Sequence, residues 1–120
     1  MSQYVDGYLI AIKKKNIQKY KRMATMGRDV WMSHGALLYF ECIGEDLKTS
    51  PGKTFIQLCK LKPNETAIFA FVVYKSKSHR NQVNKKVMSD PRMDPAQFKE
   101  MPIEMKNMSM GGFKVLVSSK

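Results

Sequence analysis

Ala67-Ile68-Phe69-Ala70-Phe71-Val72-Val73-Tyr74 is the longest uninterrupted apolar run of the chain, eight residues dominated by aromatic and β-branched side chains. Such a run reads as a strand. It falls far short of the ~20 residues that a bilayer-spanning helix needs, so no membrane span is expected. A strand with one wet face alternates apolar and polar residues, whereas a strand covered on both faces is apolar throughout, as this one is. A chain of 120 residues has helices enough to cover only one face of its sheet. The other face is expected to meet a second copy of the sheet, because a bare one would expose an apolar patch larger than monomers usually carry. A homodimer is therefore expected.

Upstream of this run, Lys62-Pro63-Asn64-Glu65 is a turn, and Thr54 to Leu61 reads as a less regular strand forming a hairpin with the apolar one. Ala36 to Ile43 is another strand, closed by Gly44-Glu45-Asp46. Before it, Ile17, Tyr20, Met23, Ala24, Gly27, Trp31 and His34 recur at three- and four-residue steps, which predicts an amphipathic helix with Asn16 as N-cap and Gly35 as its left-handed terminator. Gly27 costs this helix about 1 kcal/mol relative to Ala, which points to a close approach between helix and sheet. Tyr4 to Ile12 is the first strand. Downstream, Ser76 caps a second helix to about Met88, with His79, Val83 and Val87 on one face and Arg80, Lys85 and Lys86 pointing elsewhere. Asp94-Pro95 opens a short helix to about Met101. The tail from Met105 to Val117 is strand-like on either side of Gly111-Gly112, read as a bulge or tight bend. The resulting order is β-α-β-β-α-β, an α+β ferredoxin-like domain with an antiparallel sheet spanning residues 1–120.

Composition narrows the function classes. Twenty-one Lys and Arg against 10 Asp and Glu give a formal net charge of +11, which attracts anions of every kind without naming nucleic acid. Cys42 and Cys59 are too few for a disulfide framework and lie in strand-like stretches, where a reduced cysteine acts as a small buried hydrophobe. The start, Met1 to Gly7, lacks the basic and apolar regions of a secretory signal, so a cytoplasmic protein is expected.

The blocks Tyr4-Val5-Asp6-Gly7, His34-Gly35-Ala36-Leu37, Glu41-Cys42, Ser89-Asp90-Pro91-Arg92-Met93 and Gly111-Gly112-Phe113 resemble those of the YbaA-like family, small bacterial proteins of unknown function. The resemblance runs from about Tyr4 to Val117. It implies a ferredoxin-like fold of the dimeric α/β-barrel superfamily, with two sheets packed face to face, and it supplies no activity. The wider superfamily includes cofactor-free monooxygenases, small isomerases and haem-degrading enzymes, an analogy of fold alone. Haem-degrading members carry an Asn on the first strand and a Trp ten residues before a His. Here Asp6 stands near the Asn position and Phe69 precedes His79 by ten, so haem degradation does not carry over.

Four residues are candidates for chemistry. Asp6 is an acid inside an apolar strand, to be read either as a perturbed acid or base or as a structural tie to Arg or Lys. Glu41 has the same status on the second strand and could pair with Asp6 or a Lys. His79 shares a helical face with Val83 and Val87, and serves either as a proton shuttle or as a core residue satisfied by the backbone. Arg92, held on the Asp90-Pro91 turn, suits bidentate recognition of a carboxylate or phosphate, or forms an Asp–Arg tie. His34 is assigned to helix capping and Trp31 to packing. No metal-ligand spacing, phosphate loop or nucleophile elbow appears, so no metal and no cofactor is expected.

The leading reading is a dimer with a pocket between sheet and helices that binds or transforms a small organic molecule, an anionic one if Arg92 takes part. A nucleic-acid or polyanion binder built on Lys13-Lys14-Lys15, Lys19, Lys21, Arg22 and the second helix is the alternative, disfavoured because the aromatic residues sit in a buried-looking strand. A structural subunit without catalysis is the third.

Overall fold

The computed structural model describes residues 2–94 and 101–120. Four strands form one antiparallel sheet: β1 (Tyr4–Lys13), β2 (Leu38–Ile43), β3 (Glu65–Tyr74) and β4 (Met108–Lys114), in the order β2-β3-β1-β4. Helix α1 (Ile17–Ser33) connects β1 to β2, a one-turn helix α2 (Phe55–Leu58) lies between β2 and β3, and α3 (Lys77–Met88) connects β3 to β4. Central placement of β3 and β1 explains why their sequences are the most apolar.

Register divides the side chains between two faces, since successive residues point to opposite sides of a strand. Asp6 pairs with Val72, Tyr8 with Ala70 and Ile10 with Ile68, and these even positions face the helices. Ile10, Ile12, Ile68 and Ala70 pack with Tyr20 and Ile103 at one end, while Val72 and Tyr74 pack with Val30, Val83 and Val87 at the other. The four-residue spacing of Val83 and Val87 places both on the sheet side of α3, where they are buried. On the other face, Leu38, Phe40 and Phe69 are each about half exposed and Phe113 is more so. Phe71 stacks between Phe40 and Phe69, with ring centroids 5.2 and 5.7 Å away. The face away from the helices is thus an open apolar surface.

Several expectations need correction. Residues 54–61 are not a strand: Thr54 accepts a hydrogen bond from the Gln57 backbone N–H while the Gln57 side chain accepts from the Thr54 N–H, a capping box that closes α2. The partner of β3 on that side is β2. Gly111 and Gly112 form no bulge, since they stay in register opposite Gly7 and Asp6. Gly112 is needed there because a Cβ would lie 2.3 Å from the Tyr4 hydroxyl and 2.7 Å from Arg80 Nη2. Asn16 occupies the N-cap position of α1 without capping it, and its side-chain amide donates to the Pro102 carbonyl instead. Cys42 is exposed on the open face and Cys59 follows α2 half-buried, so neither belongs to the core. Gly35 does terminate α1, at φ +108°, and Ser76 caps α3 by accepting from the His79 N–H. The short helix expected from Asp94-Pro95 lies outside the described residues.

Candidate functional site

Between α1 and the helix-facing side of the sheet lies a cavity of about 610 Å³. One wall is aromatic, made by Tyr8, Tyr20, Trp31 and Tyr39, and the other is rich in methionine, with Met23, Met93, Met101, Met105 and Met108. These methionines come from α1, from the turn after α3 and from the approach to β4, so the wall is assembled from three parts of the chain. Glu41 is the only charged residue among the described residues that line it.

The Glu41 carboxylate is held by two hydroxyls. Tyr20 O–H donates to Glu41 Oε1, and Tyr39 O–H donates to Oε2 at 2.6 Å. Both tyrosines are pushed well above the usual phenol range, first by burial and then by the adjacent Glu41 charge and hydrogen bond, so they remain protonated donors. Burial, with the charge of Asp6 next, pushes Tyr8 up to about 12, leaving a third protonated hydroxyl in the cavity. Tyr39 and Glu41 lie two apart on β2 and so share its inner face, while α1 swings Tyr20 over them. The close approach of α1 depends on Gly27, whose missing Cβ would otherwise lie 2.9 Å from the Tyr39 hydroxyl.

The other three candidates sit elsewhere. Asp6 is buried opposite Gly112, with Arg80 Nε 3.2 Å from its Oδ1. Arg80 stacks over the Tyr4 ring at 4.9 Å and donates to the Tyr4 hydroxyl, so this arginine turns inward rather than to solvent. The position of an acid within an apolar strand was the signal that such a partner had to exist. Glu41 is in register with Tyr8 through Ala70 and makes no pair with Asp6 or a lysine among the described residues. His79 accepts the Lys75 backbone N–H at Nδ1, 2.9 Å away, and stands edge-on to Tyr74, outside the cavity lining.

Arg92 donates from Nε to Asp90 Oδ1 (3.1 Å), and from Nη2 to Asp90 Oδ2 and Ser33 Oγ (both 2.8 Å). His34 Nε2 lies 2.7 Å from the same Asp90 Oδ2, a tie between the ends of α1 and α3. The Arg92 hydrogen bonds, then that from His34, hold the Asp90 carboxyl well below the usual carboxylate range. Sequence reasoning missed the tyrosine ring around Glu41. Its signal was the recurrence of Tyr8, Tyr20 and Tyr39 at inward positions of three successive elements. Trp31, assigned to packing, is part of the cavity wall, and its indole N–H donates to Asn84.

The model of the family described as "Protein of unknown function (DUF1428)" matches residues 3–105. The chain belongs to this family. A relative, the "Uncharacterized protein YbaA" of Escherichia coli (strain K12), is 34% identical over 116 residues, 96% of this chain and 97% of that protein. The YbaA resemblance carried by the sequence blocks therefore extends over nearly the whole length. Among solved structures, a dimeric ferredoxin-like protein from an uncultured marine organism matches with a TM-score of 0.68 at 8% identity, over 98% of this chain and 99% of that one. A nipsnap family protein with unknown function from Agrobacterium tumefaciens matches with a TM-score of 0.58 at 17% identity, over 95% and 88% of the two chains. At such identities the likeness speaks for the fold, which is ferredoxin-like α+β. Among the described residues, no helix is long and apolar enough to cross a membrane.

Proposed function

We propose that the chain acts as a homodimer whose helix-side cavity binds a small, largely apolar organic molecule, anchored at its polar end by Glu41. The observation that carries this reading is the cavity, about 610 Å³ with apolar and aromatic walls around one carboxylate presented by two tyrosine hydroxyls. Ligand sites are commonly of this kind, a few hundred Å³ of apolar wall with a few placed polar groups. Arg92 is engaged by Asp90 and Ser33, which weighs against an anionic ligand here. The chemistry this lining offers beyond binding is proton transfer at the Glu41 carboxylate.

The dimer is supported by the open sheet face and by the marine protein of the same fold, which is dimeric. That face also weighs against nucleic acid. A sheet that stacks bases pairs its aromatic residues with cations, whereas the charged strand residues of this face, Lys13 and Glu65, lie opposite one another at the strand ends, beside Lys60, Lys62 and Lys106 at that end. The packed rings of Phe40, Phe69 and Phe71 suit a dry protein interface.

Trp31 is the single tryptophan and lines the cavity, so its fluorescence reports occupancy. Titration with 2-phenylethanol is expected to shift its emission saturably in the wild type, and Ala24→Leu, which narrows the cavity, is expected to weaken the response. No saturable response in the wild type, or the same response in both proteins, overturns the binding reading. Phe69→Lys is expected to sediment as a 13.8 kDa monomer while the wild type sediments as a dimer. A monomeric wild type overturns the assembly.

A further inference from the structure

We infer that the ligand of this cavity is an organic cation, a protonated amine carried on an apolar body. The inference rests on the cavity reading above and adds the charge class of the occupant. Glu41 is a carboxylate in apolar surroundings whose two partners, Tyr20 and Tyr39, are neutral O–H donors. Among the described residues no Lys, Arg or His lies within ion-pairing distance of it. Hydrogen bonds offset part of the cost of such a charge, and an opposite charge at contact offsets the rest. Among the described residues the cavity contains none of its own, which leaves the ligand as the carrier of the group that completes it.

The walls fit the same class. Ring faces attract cations placed within about 6 Å of their centroids, with tryptophan the strongest, and Trp31, Tyr8, Tyr20 and Tyr39 line the same cavity as the carboxylate. The methionines opposite are unbranched and polarizable, suited to an apolar body of variable shape. An anion would meet Glu41 with no cation beside it among the described residues, and a neutral donor would leave the charge uncompensated. Lys21 and Arg28 line a neighbouring cavity with Glu41 without pairing with it, and the part of the overall charge of +11 that lies beyond about 8 Å is largely screened at physiological ionic strength.

The test compares three probes of nearly equal shape, 2-phenylethylamine, 2-phenylethanol and 3-phenylpropanoate, at pH 7 by Trp31 fluorescence, in the wild type and in Glu41→Gln. The amine is expected to bind the wild type about tenfold more tightly than the alcohol, with the carboxylate weakest. In Glu41→Gln that preference is expected to fall to within about twofold while alcohol binding persists. The wild-type comparison stands even if the variant fails to fold. If the alcohol or the carboxylate matches the amine, the cation assignment is wrong and the cavity reading survives. An amine preference undiminished in Glu41→Gln removes Glu41 as its source, and no response to any probe overturns the cavity reading as well.

Discussion

Tyr39 and Gly27 meet at one point: the Tyr39 hydroxyl, which donates to Glu41, occupies the space that a β-carbon on Gly27 would need, 2.9 Å from its position. A mid-helix glycine is thereby explained by a hydrogen bond made on another element. Gly27→Ala gains about 1 kcal/mol of helix propensity and loses a similar amount as Tyr39 is pushed off Glu41. Denaturant unfolding should therefore show little net change. In a Tyr39→Phe background the obstacle is gone, and the same Gly27→Ala change should stabilise by about 1 kcal/mol. Equal effects in both backgrounds would mean that the two residues are not coupled.

Asp6 and Arg80 form a pair in which the acid is buried and the arginine mostly so. Removing one partner of such a pair strands the other, and Asp6→Ala should cost about 3 kcal/mol or more in urea unfolding. Arg80→Met in that background replaces the stranded cation with an apolar side chain and should recover most of the loss. Failure of this rescue would show that the loss comes from contacts other than the Asp6–Arg80 pair, those of Arg80 with Tyr4 included.

Lys60 has φ +51°, the left-handed region, at the residue after the C-cap of α2. Its N–H donates to the Gln57 carbonyl and the Leu61 N–H to that of Ile56, the helix-ending motif in which glycine is usual. Relief of the Cβ strain by Lys60→Gly, less the entropy that glycine adds to the unfolded chain, should stabilise by about 1 kcal/mol, read as a raised urea midpoint.

Asp90 ties Arg92 and His34 together, and its carboxyl is held below the usual range in the folded state. A depressed carboxylate binds fewer protons folded than unfolded. Its contribution is complete above the unfolded value of about 4 and is lost as pH falls through the lower folded value. Asp90→Asn should therefore flatten the acid limb of the stability profile below about pH 4 and leave its neutral shape unchanged. An acid limb identical to that of the wild type would contradict this.

The first, second and apolar strands and the two long helices were legible because their signals are local and periodic: the apolar run at 67–74, the Ser76 cap, and Gly35 after a helical stripe. The stretch 54–61 misled because its apolar residues mask a four-residue helix decided by the Thr54–Gln57 capping box. Of the candidate site, Glu41 was legible as an acid on a strand. The tyrosines that hold it were not, because they come from β1, α1 and β2 and converge only through the close approach of α1 that Gly27 permits. Arg92 was conspicuous in sequence for its rigid turn, and the same rigidity lets Asp90 and Ser33 take up its donors.

Native mass spectrometry of the protein, purified gently at low salt from cells that express it naturally, tests the central claim most directly. The account predicts a dimer carrying a reproducible small added mass on each chain, with lower occupancy in Ala24→Leu. A bare dimer in both proteins, or a chain that instead carries oligonucleotide, would contradict it.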